Sequence, residues 1–361
     1  MQRYPPTRDR SLRVFSAADE LLLEWAATTT DCPLTVVNDP FGALALSHPG
    51  PVHFISSSHG QEEALRRNAI HLGVPQPPCT RLLDEPPRPL IQRAVLRIPK
   101  SIELFDFYLD YLVRRGSPDL EIAAGFMTRH FTPAWLEVAG RYAGQVTQSR
   151  ARRKARLLHL TALTAPPGGA PPQLNELAYG GRVYRQYPGV FSGKQVDFAT
   201  QFLLNSWEQL GGLPVPSAIL DVACGNGIIG DQLLLRYPSA RLTAVEDFLL
   251  AVKSAELNLP PPPRATVRYQ HRLDDIPSQS QDLIVVNPPF HFGYTNTIDI
   301  SLSLFAQMPR VLRPGGHLVI VANQHLNYAT QLRARWTVEP AAQNERFIVY
   351  RCALRDQPND L

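Results

Sequence analysis

The chain has 361 residues, 44% hydrophobic and 19% charged, which excludes a lone small module and a disordered polymer and suits two globular domains. No apolar run approaches the ~20 residues of a membrane helix and the start lacks a signal-type apolar core, so a cytoplasmic protein without a membrane partner is expected. Four scattered cysteines and ten histidines form no C-x-x-C or H-E-x-x-H spacing, so neither a disulfide framework nor a metal is expected. The net charge of +4 sits in the first half, where residues 1–175 hold 20 Lys+Arg against 16 Asp+Glu.

In chain order, Leu34-Thr-Val-Val37 reads as a strand, Asp39-Pro-Phe-Gly42 as a turn and Gln61 to Leu72 as a helix. Strand Ala94 to Ile98 leads to Pro99-Lys100, with Ile98-Pro-Lys100 standing where the second half has Asn287-Pro-Pro289, then come a helix ending at Arg115, a strand over Leu120 to Gly125 and a closing strand over Ala155 to Leu163. The Pro/Gly run from Ala165 to Gln173 supports neither helix nor central strand and marks a boundary. A hairpin over Ala178 to Tyr184 opens the second half. There strands at Ala218 to Ala223, Arg241 to Val245, Leu283 to Val286 and His317 to Val321 alternate with helices at Ile229 to Tyr237, Leu249 to Leu259 and Ile300 to Leu312, and Arg346 to Leu354 closes as a strand. This alternation predicts a doubly wound parallel α/β sheet covered on both faces. The halves repeat one order, an internal duplication with domains at 1–172 and 173–361 in which the second copy keeps the chemistry.

Asp221-Val-Ala-Cys-Gly-Asn-Gly-Ile-Ile-Gly230 lies at a strand-to-helix junction, where glycines let backbone approach a cofactor. Gly225, Gly227 and Gly230 match G-x-G-x-x-G, yet the preceding Asp221 repels a pyrophosphate and suits the ammonium of an amino-acid moiety. Glu246, 21 residues after Gly225, stands at the offset of a ribose-binding carboxylate.

Asn287-Pro-Pro-Phe290 follows the fourth strand of this half. The Asn287 side-chain oxygen and the Pro288 carbonyl each suit one N–H of an sp2 amine, Pro289 stiffens the loop, and Phe290 suits stacking on a base. The tetrapeptide alone does not separate guanine, adenine or a glutamine amide.

The pairing of Asp221-Val-Ala-Cys-Gly-Asn-Gly227 with Asn287-Pro-Pro-Phe290 resembles the class I S-adenosylmethionine-dependent methyltransferases that act on amino groups. Val190-Phe-Ser192 and Asp197 narrow the likeness to bacterial ribosomal RNA guanine-N2 methyltransferases. Val37 to Leu44, Ile98-Pro-Lys100, Arg153-Lys-Ala-Arg156 and Val321-Ala-Asn323 resemble their large-subunit (RlmG-type) form. The resemblance implies two tandem Rossmann-like domains, the first degenerate and gripping RNA, and methylation of a guanosine N2 amine in large-subunit rRNA. Small-subunit rRNA, or a non-catalytic RNA-binding protein that keeps the cofactor fold, are the alternatives. It implies Asp197, Asp221, Cys224, Gly225, Asn226, Gly227, Glu246, His271 and Asn287 at S-adenosylmethionine and Asn287 to Phe290 at the target base. The family's Asn near the adenine is replaced here by Gln270-His-Arg272. The duplicate supplies a pseudo-dimeric surface, so a monomer is expected.

Overall fold

Short runs of β-branched and aliphatic residues assemble into two seven-stranded sheets, one in each half. The computed structural model describes residues 1–6, 13–84, 90–167, 173–289, 291–292, 295–296 and 299–355, and the chain divides into units Met1–Gln173 and Leu174–Leu361.

In the first unit the strands are β1 (Leu34–Val37), β2 (Val52–Ser56), β3 (Cys79–Arg81), β4 (Ile91–Arg97), β5 (Gly116–Met127), β6 (Ala143–Gln148) and β7 (Ala155–Leu163). The helices are α1 (Ala17–Ala26), α2 (Ala43–Ser47), α3 (His59–Leu72), α4 (Ile102–Arg114) and α5 (Ala134–Gly140). The sheet order is β3-β2-β1-β4-β5-β7-β6, and β7 alone runs antiparallel to its neighbours.

The second unit opens with the hairpin β8 (Asn175–Tyr179) and β9 (Arg182–Gln186), its Gly180-Gly181 turn at positive φ. Its sheet holds β10 (Ala218–Val222), β11 (Arg241–Glu246), β12 (Ala265–Tyr269) and β13 (Gln281–Val286). The short pair β14 (His291–Phe292) and β15 (Thr295–Asn296) precedes β16 (Leu312–Asn323), β17 (Trp336–Gln343) and β18 (Phe347–Leu354). Helices α6 (Phe198–Asn205), α7 (Ile228–Arg236), α8 (Leu249–Asn258), α9 (Asp299–Phe305), α10 (Met308–Val311) and α11 (Tyr328–Leu332) complete it. The order, β12-β11-β10-β13-β16-β18-β17, repeats that of the first unit strand for strand.

Successive residues of the central strands pack on opposite faces. Ile219, Val285 and Val319 join one core, and Leu220, Ile284 and Leu318 the other. Both faces are therefore dry, as a sheet with helices on each side requires.

Three sequence expectations need correction. The helix expected over Ile300 to Leu312 is two helices, because Pro309 has no N–H to donate to the carbonyl of Phe305, four residues earlier, and its ring crowds that carbonyl, so α9 ends there. The sheets are mixed, and the edge strands β6 and β17 were not expected because neither run alternates between apolar and polar residues throughout. The third concerns register. Val37 pairs with Ile55 and Leu96 as Val222 pairs with Val245 and Val286. Arg97, and not Ile98, thus occupies the position of Asn287.

The same register places Val36 where the second unit has Asp221, Pro40 and Phe41 where it has Gly225 and Asn226, and Ser56 where it has Glu246. Asn38 and Ala223 share positive φ, as do Gly42 and Gly227, so the turn survives although its chemistry does not. Arg97 makes an ion pair at 2.9 Å with Asp19, which is 1% exposed, and its carbonyl accepts from the Asn38 amide. Arg97→Ala leaves a buried carboxylate without its cation and is expected to lower stability by about 3 kcal/mol, read by denaturant unfolding.

Candidate functional site

The strand ends of β10, β11 and β13 gather the polar residues of the second unit. Asp221 is fully buried, and its Oδ2 accepts from the Gly230 N–H at 2.9 Å while Oδ1 has no hydrogen-bond partner among the described residues. Burial pushes this carboxyl up to about 7, the Gly230 N–H opposes the shift, and the nearby Glu246 carboxylate adds to it.

Ala223, Gly225 and Gly227 all take positive φ, giving the chain the sharp turn into α7. A Cβ built on Gly225 would meet nothing within 4 Å, whereas one on Gly227 would sit 3.0 Å from Leu259 Cγ. The first glycine faces open space, and the second allows close packing of the loop on α8.

Glu246 anchors the same loop. Its Oε2 accepts from the Gly225 N–H at 2.9 Å, and its Oε1 accepts from the N–H groups of Asp247 and Phe248 at 2.8 and 3.0 Å. A carboxylate offers about four acceptor positions and three are filled here, so about one remains for a ligand. Burial raises its pKa against these three donors.

Two expected cofactor residues face inward. The Asn226 amide donates to Gln186 Oε1 at 2.8 Å and its oxygen accepts from the Ile228 N–H at 3.2 Å, tying the loop to β9. The Cys224 side chain joins the apolar core, where burial raises its thiol well above the ordinary range. Both residues lie in the loop, and their side chains hold its underside. His271 lies in the turn after β12, where the Gln270 N–H donates to the Glu246 carbonyl at 2.9 Å; it is half-buried.

Asn287 follows β13 directly. Its amide nitrogen donates to Asp197 Oδ2 at 3.0 Å and to Thr200 Oγ1 at 3.1 Å. Asp197 caps α6 through the Thr200 N–H. The Pro289 carbonyl accepts from the buried Ser301 hydroxyl at 2.6 Å, and the Tyr328 hydroxyl donates to Ser301 in turn. Among the described residues nothing donates to the Pro288 carbonyl. Phe290 lies outside the described residues.

Sequence reading missed Thr200, Ser301 and Gln186. For Thr200 the available signal was its place three residues after the capping Asp197. Ser301 and Gln186 carried none, since each reaches the site from a distant segment. The hairpin also docks on α7, where Tyr184 donates to Asp231 at 2.6 Å and Arg182 pairs with the same carboxylate. Among the described residues no cluster of His, Cys, Asp and Glu is arranged to hold a metal, and no helix is long and apolar enough to cross a membrane.

Residues 1–164 match the family described as the RLMG N-terminal domain, and residues 182–351 match the methyltransferase small domain. The chain is 32% identical to a ribosomal RNA large subunit methyltransferase G of Aeromonas salmonicida, covering 98% of this chain and 97% of that one. It is 31% identical to the protein of the same name from Pseudomonas entomophila, covering 96% and 95%. A solved T. thermophilus 16S rRNA N2 G1207 methyltransferase, in complex with AdoMet and guanosine, has the same fold at TM-score 0.77 and 22% identity, over 97% of this chain and 94% of that one.

Proposed function

The chain belongs to the ribosomal RNA large subunit methyltransferase G family, and from that premise we propose that it methylates the exocyclic N2 amine of one guanosine in large-subunit rRNA, as a cytoplasmic monomer using S-adenosylmethionine. One observation carries the reading. Asp221, Glu246 and Asn287-Pro288 stand together at the strand ends of the second unit, while the same positions of the first hold Val36, Ser56 and Arg97-Ile98.

The residues fit the cofactor. The unpartnered Asp221 Oδ1 suits an ammonium group, Gly225 leaves open space above the loop, and Glu246 stands one residue beyond the Val245 that pairs with Val222. S-adenosylmethionine supplies an electrophilic methyl on a sulfonium. The chain's own work is positioning: the Asn287 oxygen and the Pro288 carbonyl accept the two N–H groups of the target amine and aim its lone pair, so near-attack geometry provides most of the rate. The base reaches the pocket by leaving its stack. Phe198, first residue of α6 and 54% exposed, offers a face for a neighbouring base.

The first unit supports the RNA-gripping role at the mouth it no longer uses for chemistry. Lys100 follows β4, Arg129 follows β5, and Lys154 leads into β7 with its carbonyl accepting the Thr128 N–H at 2.8 Å. All three are exposed, and none has an ion-pair partner among the described residues. Arg152 and Arg153, in contrast, pair with Glu24 and Glu20 of α1. Reversing Lys100, Arg129 and Lys154 to Glu is expected to flatten the slope of log affinity against log salt by about 2 to 3, while Arg152→Ala leaves the slope near wild type. Filter binding to large-subunit rRNA across a salt series reads both.

The function itself is tested with methyl-labelled S-adenosylmethionine and unmodified large- and small-subunit rRNA, digested to nucleosides. Label in N2-methylguanosine from the large-subunit RNA is expected. Label only in small-subunit RNA overturns the choice of subunit, and cofactor binding without label in either RNA favours a non-catalytic RNA-binding protein.

A further inference from the structure

An amide has two unlike ends, and the chemistry proposed for Asn287 needs only its oxygen. Asp197 is an acceptor when ionised, so the end of Asn287 that faces it is the NH2. Thr200 Oγ1 takes the other proton of that NH2, and Thr200 is buried, 5% exposed. With both protons occupied, the carboxamide is locked and its oxygen is left for a ligand.

The first unit holds a useful contrast. Ser16 caps α1 as Asp197 caps α6, and Asp19 stands three residues after its cap as Thr200 does. Asp19 pairs with Arg97, the residue in the place of Asn287. A bridge from the first helix to the residue after the fourth strand is thus common to both copies. Only in the second does it end in a group with an acceptor that no described residue fills.

We propose that Thr200, with Asp197, is a positioning residue that fixes the Asn287 carboxamide with its oxygen toward the target amine. The assignment rests on the methyl-transfer reading for its consequence, and on geometry alone for the lock. Without the hydroxyl one N–H loses its partner, the amide rotates more freely, and the amine is held in the reactive pose for less of the time.

The test uses the full chain with Thr200→Val and Thr200→Ser. Proton exchange of the Asn287 carboxamide is followed by NMR in ligand-free protein, its resonances assigned by their loss in Asn287→Ala. Single-turnover transfer is followed with labelled S-adenosylmethionine and large-subunit rRNA. Thr200→Val is expected to speed exchange and slow transfer by about tenfold, with cofactor affinity within about twofold of wild type, and Thr200→Ser to restore both. Unchanged exchange in Thr200→Val overturns the lock, as does a loss of cofactor affinity in proportion to the rate. Should wild-type protein label no guanosine while exchange responds as expected, the lock stands and the methyl-transfer reading falls.

Discussion

Asn287→Ala is expected to lower single-turnover methyl transfer at saturating cofactor and RNA by about a hundredfold, with the affinity for S-adenosylmethionine changed by only a few-fold. The substitution removes the one side-chain oxygen aimed at the target amine and leaves the Pro288 carbonyl as sole acceptor. It also frees Thr200 Oγ1 and Asp197, but both lie at the end of α6 where the Thr200 N–H still donates to the Asp197 carboxylate, so the fold persists. Quenched-flow measurement with labelled cofactor separates the rate from binding. A fall in affinity that matches the fall in rate would assign Asn287 to the cofactor instead.

Asp221→Asn is expected to weaken cofactor binding by about 30- to 100-fold, the loss of a charge-assisted contact to an ammonium group. The same change is expected to stabilise the ligand-free chain. Burial holds Asp221 at about 7 against an ordinary 3.8, so between those values the folded state binds the proton that the unfolded state releases. Stability from this group is therefore complete below about 3.8, falls as pH rises toward about 7, and is level above it. Asn carries no charge to bury and still accepts from the Gly230 N–H, so at pH 8 its melting temperature should rise by about 2 °C or more. Cofactor affinity of the wild type follows the opposite sign. It needs the ionised carboxylate, so it climbs about tenfold per pH unit below about 7 and then levels. Titration calorimetry across pH 5.5 to 8.5 reads this, and a flat profile would remove Asp221 from the ammonium site.

Much of this was legible in the sequence because local pattern carries it. Apolar runs at Ala218 to Leu220 and Leu283 to Val286 give buried strands, and glycines at positive φ give the turn between β10 and α7. Asn287-Pro-Pro stands out because two prolines after a strand have few other uses. What stayed hidden depends on contacts made far along the chain. Asn226 stands out in the loop motif, but its bond to Gln186, 40 residues earlier, is not readable from that motif. Thr200 is 87 residues from Asn287 and sits in an unremarkable helical stretch. Arg97 lay one place from the position that its motif suggested, since only strand register fixes which residue follows β4. Edge strands β6 and β17 lack the alternation of a half-buried strand and escaped for that reason.

The central claim concerns one amine, and an RNA lacking that amine tests it most directly. Once the labelled position is mapped, the same large-subunit fragment is prepared with inosine in place of that guanosine, which differs by the absent N2 amine. Full-length protein and labelled S-adenosylmethionine should transfer methyl to the guanosine fragment and none to the inosine fragment, with both RNAs bound about equally. Transfer to the inosine fragment at a comparable rate would contradict the account.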